Sequence, residues 1–217
     1  MIYPDDFINK IICGDCLKIM ELIPDKSIDL VLTDPPYNAK NIGPNQRVYD
    51  ITPMIMENYV EWCGKWFKQA ERIGKVLLFT PGIANTHNYP QPYWQLCWHK
   101  PAAVSFNRMG GFNAWEPIFI YGKKEKGERC GQDFILHNTM NFGKGPEKKH
   151  PCPKPLGLWH ELIIKFSDEN DIILDPFMGS GTTAVGCKNL NRKYIGIEIS
   201  KQYVNIAEER LKQEVLF

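Results

Sequence analysis

Two short stretches carry residue types suited to chemistry. The first, Asp34-Pro35-Pro36-Tyr37, follows the run Ile28-Asp29-Leu30-Val31-Leu32-Thr33. That run has the length and branching of a buried parallel strand. Neither proline can continue a ladder and each biases its predecessor away from helix, so the strand ends near Asp34. A carboxylate, two rigid carbonyl-bearing residues and an aromatic ring are thus set at a strand's carboxyl end, where open α/β sheets bind ligands. Taken alone, the tetrapeptide suits a Pro-Pro turn with a helix-capping Asp equally well. The second stretch, Asp175-Pro176-Phe177-Met178-Gly179-Ser180-Gly181-Thr182-Thr183, shifts the balance towards a ligand site.

That second stretch lies between an expected strand over 171–174 and a helix starting near Gly181. Glycines 179 and 181 permit a tight turn and close approach of a ligand to the backbone. Gly179-Ser180-Gly181-Thr182-Thr183-Ala184 matches G-x-G-x-x-A, and Glu198 follows Gly179 by nineteen residues. An acid at the next strand end suits the two hydroxyls of an adenosine ribose. No Lys follows the glycines, so this is not a phosphate-cradling P-loop. A nicotinamide dinucleotide fits the pattern, which would make the chain an oxidoreductase. Against it stands Asp175, whose carboxylate repels a pyrophosphate and suits an ammonium-bearing ligand.

The elements that must position these residues can be traced in order. A short strand at 10–13 exits through Gly14-Asp15, and a helical turn through Leu17, Met20 and Leu22 follows. Residues 38–53 read as a polar loop long enough to be functional. Helical spacing runs over 55–70, and a buried strand over 75–80 is closed by Pro81-Gly82. Strands are expected at 92–98 and 117–121, with loops over 100–115 and 123–150. Helix over 155–166, strand over 171–174, helix from 181 to 190, strand over 194–198 and helix over 203–216 complete the chain. Strands alternating with helices predict an α/β fold with a doubly wound, mostly parallel sheet, a single domain over 1–217 with loop insertions.

Composition narrows the classes. Of 217 residues, 43% are hydrophobic, enough for a good core, yet no apolar run approaches a membrane span. The first residues lack the basic and apolar regions of a signal peptide, and seven scattered cysteines suit a reducing compartment, so a cytoplasmic location is expected. Cys13-Gly14-Asp15-Cys16 has zinc half-site spacing, but Cys130 and Cys152 are too far apart to be its second pair, and no metal is expected. Net charge is only +1, while residues 100–150 hold nine Lys/Arg against five acids. That local excess suits phosphate contacts, as it would suit a solvated loop face.

With these motifs in place, the chain resembles the β group of DNA amino-methyltransferases, which use S-adenosylmethionine. The resemblance rests on Gly14-Asp15, Asp34-Pro35-Pro36-Tyr37, His150-Pro151-Cys152-Pro153-Lys154-Pro155 (similar to that group's HPTQKP segment), the 175–183 loop and Ile197-Glu198. The tetrapeptide precedes the cofactor loop, as in that group. Cys152 and Pro153 depart from it, which weakens the transfer of any role to Lys154. The resemblance implies a Rossmann-like methyltransferase fold and a small DNA-recognition loop region at about 100–150. It also implies restriction-modification biology and double-stranded DNA with a flipped base as substrate; a homodimer is left open as an assembly. Asp34, Pro35, Pro36 and Tyr37 would be catalytic. Phe177, Gly179, Ser180, Gly181 and Thr182 would surround the methionine part of the cofactor, with Asp175 near its ammonium. Asp15 would lie near the adenine amino group, unless it is only a helix cap, and Glu198 would hold the ribose. An Asp at the first motif position favours adenine-N6 over cytosine-N4 as the target. A Pro-Cys nucleophile of the cytosine-C5 kind is disfavoured, because Cys152 precedes the cofactor loop. A non-catalytic DNA-binding relative is the remaining alternative, against which the intact Asp34 and Pro35 argue.

Overall fold

The computed structural model describes residues 1–37, 58–102, 110–123, 131–138 and 154–213. Along the chain come β1 (Lys10–Cys13), α1 (Cys16–Met20), β2 (Ile28–Thr33), α2 (Tyr59–Ile73), β3 (Gly74–Phe79), β4 (Trp94–His99), β5 (Trp115–Gly122) and β6 (Phe134–Leu136). They are followed by α3 (Leu156–Phe166), β7 (Ile172–Asp175), α4 (Thr182–Asn189), β8 (Lys193–Glu198) and α5 (Lys201–Lys212). All eight strands join one sheet in the order β1-β8-β7-β2-β3-β5-β4-β6. The first five of that order are parallel; β5 runs antiparallel to both β3 and β4, and β6 parallel to β4.

Residue parity explains why the middle of the sheet is covered on both faces. Val31, Leu77 and Phe79 enter one core with α1 and α2, where Trp66, Phe67, Phe79, Tyr89 and Tyr121 pack ring against ring. Leu30, Leu32, Val76 and Leu78 face the other core, closed by Leu158, Trp159, Leu162 and Ile163 of α3. Apolar residues on both parities leave a near-continuous hydrophobic run in the sequence, the signature of a strand buried on two faces. Among the described residues no helix is long and apolar enough to cross a membrane.

The doubly wound, mostly parallel expectation holds, with three corrections. Residues 123–150, read as loop, contain the edge strand β6; three residues are too few for a periodic signal. Lys100, counted among the basic loops, is 2% exposed and its Nζ lies 2.5 Å from Glu116 Oε1. The helix expected over 203–216 starts at Lys201, and that over 55–70 is seen as Tyr59–Ile73. The 38–53 loop, His150 to Pro153, and seven of the nine Lys/Arg counted over 100–150 (108, 124, 126, 129, 144, 148 and 149) lie outside the described residues.

Candidate active site

Strand order places five polar groups in a row along one edge of the sheet. Asp15 follows β1, Glu198 ends β8, Asp175 ends β7, Asp34 follows β2 and Thr80 follows β3. Because these strands are parallel, all five lie at carboxyl ends. The two stretches that are 141 residues apart in sequence (175 − 34) become neighbours because β2 pairs with β7.

The Asp34 end is built from side chains. Tyr37 Oη and Thr80 Oγ1 both donate to Asp34 Oδ1, and Lys154 Nζ stands 2.7 Å from Asp34 Oδ2. Tyr37 Oη also lies 3.1 Å from the Thr80 carbonyl, and Lys154 Nζ 3.4 Å from Tyr37 Oη. Pro35 is buried, while the carbonyl of exposed Pro36 accepts from Tyr59 Oη at 3.0 Å. Those contacts fix the course of the two prolines. The Tyr37 ring lies over Gly82, whose φ is +70° and where a Cβ would come within 3.1 Å of the ring. Tyr37 is 37% exposed, yet its hydroxyl points inward. Burial first, then the charges of Asp34 and Glu116, push its ionisation well above the usual tyrosine value, so the hydroxyl remains a donor.

At the loop end the backbone holds Glu198 and shares Asp175 with two threonine side chains. Glu198 Oε2 accepts from Gly179 N and Oε1 from Ser200 N, both at 2.8 Å. Two amides thus aim one carboxylate beside a glycine at φ +54°. Asp175 is 4% exposed. Its Oδ1 accepts from Thr33 Oγ1 at 2.5 Å and Phe177 N at 3.0 Å, and its Oδ2 from Thr183 Oγ1 at 2.5 Å. Thr183 in turn accepts from Trp159 Nε1 at 2.7 Å. Desolvation outweighs these donors and pushes the Asp175 carboxyl up to about 6.

The remaining loop residues divide between ligand space and packing. Gly181, at φ +85°, presses on α5: a Cβ there would meet Ala207 Cβ at 2.7 Å. Ser180 and Thr182 are buried and face Arg210, whose Nη1 lies 2.7 Å from Ser180 O, 3.0 Å from Ser180 Oγ and 3.4 Å from Thr182 Oγ1. Phe177 is half-buried against Trp62 and Trp66, each with centroids 5.4 Å away. Asp15 caps α1, its Oδ1 accepting from Leu17 N at 2.8 Å, and it remains exposed. Cys16 is buried, and burial with the nearby Asp15 charge pushes its thiol up to about 12.

Sequence reasoning missed Thr33, Thr80, Thr183 and Arg210. Thr33 directly precedes the first motif and Thr183 closes the second, so their position was a usable signal. Thr80 and Arg210 act across 46 and 30 residues of chain, and nothing local marks them. Lys154, carried only weakly from sequence, is drawn by the fold directly onto Asp34.

The profile of one protein family, described as DNA methylase, matches residues 92–209. The Type II methyltransferase M.HinfI of Haemophilus influenzae is 31% identical over 251 residues, covering 96% of this chain and 70% of its own. M.HpaI of Haemophilus parainfluenzae, another Type II methyltransferase, is 29% identical over 241 residues, covering 95% and 75%. Among solved structures, PvuII DNA methyltransferase (cytosine-N4-specific) superposes with a TM-score of 0.71 at 20% identity, over 95% of this chain and 87% of that one. The complex of M1.HpyAVI with SAM superposes with a TM-score of 0.65 at 24% identity, over 94% and 99%.

Proposed function

This chain belongs to the N6/N4 family of DNA methylases, and from that premise we propose that it methylates the N6 amino group of adenine in double-stranded DNA. The observation that carries the choice of site is Asp34, a carboxylate at the β2 exit held by Tyr37, Thr80 and Lys154. An exocyclic amino group is a poor nucleophile, because its lone pair is conjugated into the ring. Asp34 and the Pro35 carbonyl accept its two N–H bonds, drawing the nitrogen towards tetrahedral geometry and freeing the lone pair. The buried Pro35 and the anchored Pro36 fix where those acceptors point, so they act through position and electrostatics.

The other half of the edge suits S-adenosylmethionine, the ligand named with the M1.HpyAVI structure. Glu198, already aligned by two backbone amides, offers its remaining lone pairs to the ribose hydroxyls. Phe177 and Gly179 present an aromatic edge and an open backbone towards the methionine part. Asp175 acts on the ammonium through its charge, as both its oxygens already accept hydrogen bonds inside the fold. Asp15, capping α1 at the end of β1, faces the adenine amino group. Ser180, Gly181 and Thr182 hold the turn in shape against α5. When bound, the cofactor supplies a methyl group activated by its sulfonium.

The target amino group is paired inside a duplex, so the base is flipped out to reach Asp34. The exposed Tyr37 ring offers it a stacking face worth roughly 1–3 kcal/mol. The family resemblance favours adenine over cytosine, because the first motif position is commonly Asp in adenine-N6 enzymes and Ser in cytosine-N4 enzymes, and here it is Asp34. The alternative, cytosine-N4, has the support of the PvuII enzyme's stated specificity, although at 20% identity that enzyme shares the fold alone. Digesting methylated DNA to nucleosides and measuring their masses decides between them. N6-methyladenine is the expected product; N4-methylcytosine alone would overturn the assignment.

A further inference from the structure

We propose that Lys154 donates a hydrogen bond to the ring nitrogen beside the target amino group, so that Asp34 and Lys154 together read the edge of the flipped base. This rests on the methyl-transfer reading of the Asp34 site. Lys154 Nζ and Asp34 Oδ2 lie 2.7 Å apart, a donor and an acceptor side by side. On adenine and cytosine alike, the amino nitrogen and an accepting ring nitrogen are separated by one carbon, a donor beside an acceptor in complementary order. Thymine, and guanine on its Watson–Crick edge, present a ring N–H where these bases present the acceptor. The pair therefore excludes them, since an ammonium facing an N–H leaves two donors opposed.

The surroundings aim this lysine. Its side chain is 11% exposed, against 26% for Asp34, so the charge is held in the site and not in solvent. Its Nζ lies 5.4 Å from the Tyr37 ring centroid and 5.9 Å from that of Trp98. Tyr37 is the ring assigned to stacking, and the lysine stands beside its hydroxyl as well as beside Asp34. Lys100 shares the Trp98 ring at 5.2 Å, but it is 2% exposed and bound to Glu116 at 2.5 Å. Lys154 alone of the two stands beside the acceptor of the amino group. An ammonium has three donors; Asp34 Oδ2 takes one at 2.7 Å, Tyr37 Oη lies 3.4 Å from it, and an arriving base would exchange for such a contact. Asp34 also offsets the cation where positive charge develops on the methylated nitrogen. Lys154 accordingly binds and orients the base, and its loss acts on KM more than on kcat.

The test is a cycle between protein and base. Once the methylated site is mapped, duplexes are made with the target adenine or with 1-deazaadenine, which has C–H in place of the ring acceptor. If the site maps to cytosine, 3-deazacytosine serves. The wild-type protein should show a KM about tenfold or more higher for the analogue, the scale of one charge-assisted hydrogen bond. K154M, checked for folding by thermal melting, should show the raised KM on normal DNA and no further penalty for the analogue. K154R keeps a donor and should retain part of the discrimination. If K154M penalises the analogue as much as the wild type does, Lys154 only holds Asp34 and the inference fails. Equal KM for both duplexes in the wild type overturns it without any variant. Absence of transfer to unmodified DNA would instead bring down the methyl-transfer reading on which it stands.

Discussion

The two ends of the active edge hold their carboxylates by different means. At the β7–β8 end, Glu198 is aimed by the amides of Gly179 and Ser200, and Asp175 by the Phe177 amide with two threonines. At the β2–β3 end, Asp34 is held only by side chains in the described contacts, those of Tyr37, Thr80 and Lys154. Backbone donors are fixed by the chain's own path and need no rearrangement when a ligand arrives. Side-chain partners can exchange one hydrogen bond for another. The first arrangement suits a cofactor met in one conformation; the second suits a base that enters from a duplex and must displace existing contacts. The difference predicts that damage at either end stays local.

The strongest way to break that division is Asp34→Ala. Methyl transfer should fall by at least about a hundredfold, because the acceptor that reshapes the amino group is gone. Cofactor affinity should stay within about threefold, since Asp34 and Glu198 stand at the ends of different strands. Calorimetric titration with S-adenosylmethionine reads the second number. Loss of cofactor binding in a folded variant would show that the two ends are one unit. Glu198→Ala is the converse and somewhat smaller. It should weaken cofactor binding by roughly 1.5–3 kcal/mol, as both ribose hydroxyls lose a charged acceptor. It also removes the acceptor of the Gly179 and Ser200 amides, so the melting temperature should drop with it. An unchanged dissociation constant would refute the ribose role.

The same contrast explains what the sequence made legible. The 175–183 loop was readable because its cause is local: glycines at 179 and 181 take φ of +54° and +85°, and the strand and helix around it follow within a few residues. The tetrapeptide at 34–37 was readable for a similar reason, as prolines end a strand wherever they fall. The partners of Asp34 were not. Thr80 and Lys154 reach it from 46 and 120 residues away (154 − 34), and only the β2–β3 pairing and the start of α3 bring them in. Lys100 shows the opposite failure, where a residue type that usually faces water is buried by one ion pair with Glu116. A three-residue strand such as β6 carries too little pattern for any periodic reading.

The smallest predicted effect sharpens the comparison at Asp175, the charge nearest the border between the two ends. Its carboxyl sits at about 6 in the folded protein against an ordinary 3.8, chiefly because burial disfavours the charged form, with a lesser push from Asp34. Between those two values the folded protein binds more protons than the unfolded chain, so stability falls as pH rises through that window. The contribution is fully present below about 4 and gone above about 6, and it is worth on the order of 3 kcal/mol. Asp175→Asn cannot titrate and keeps one oxygen for the Phe177 amide. Comparing the denaturation midpoints of the two ligand-free proteins from pH 4 to 7 isolates this residue from the other carboxylates. The wild type should lose ground to the variant as pH rises, then run parallel to it. A gain instead would mean that Thr33, Thr183 and Phe177 stabilise the ionised carboxylate by more than its burial costs. Asp175 would then resemble Glu198, a carboxylate settled in its donors before any ligand binds.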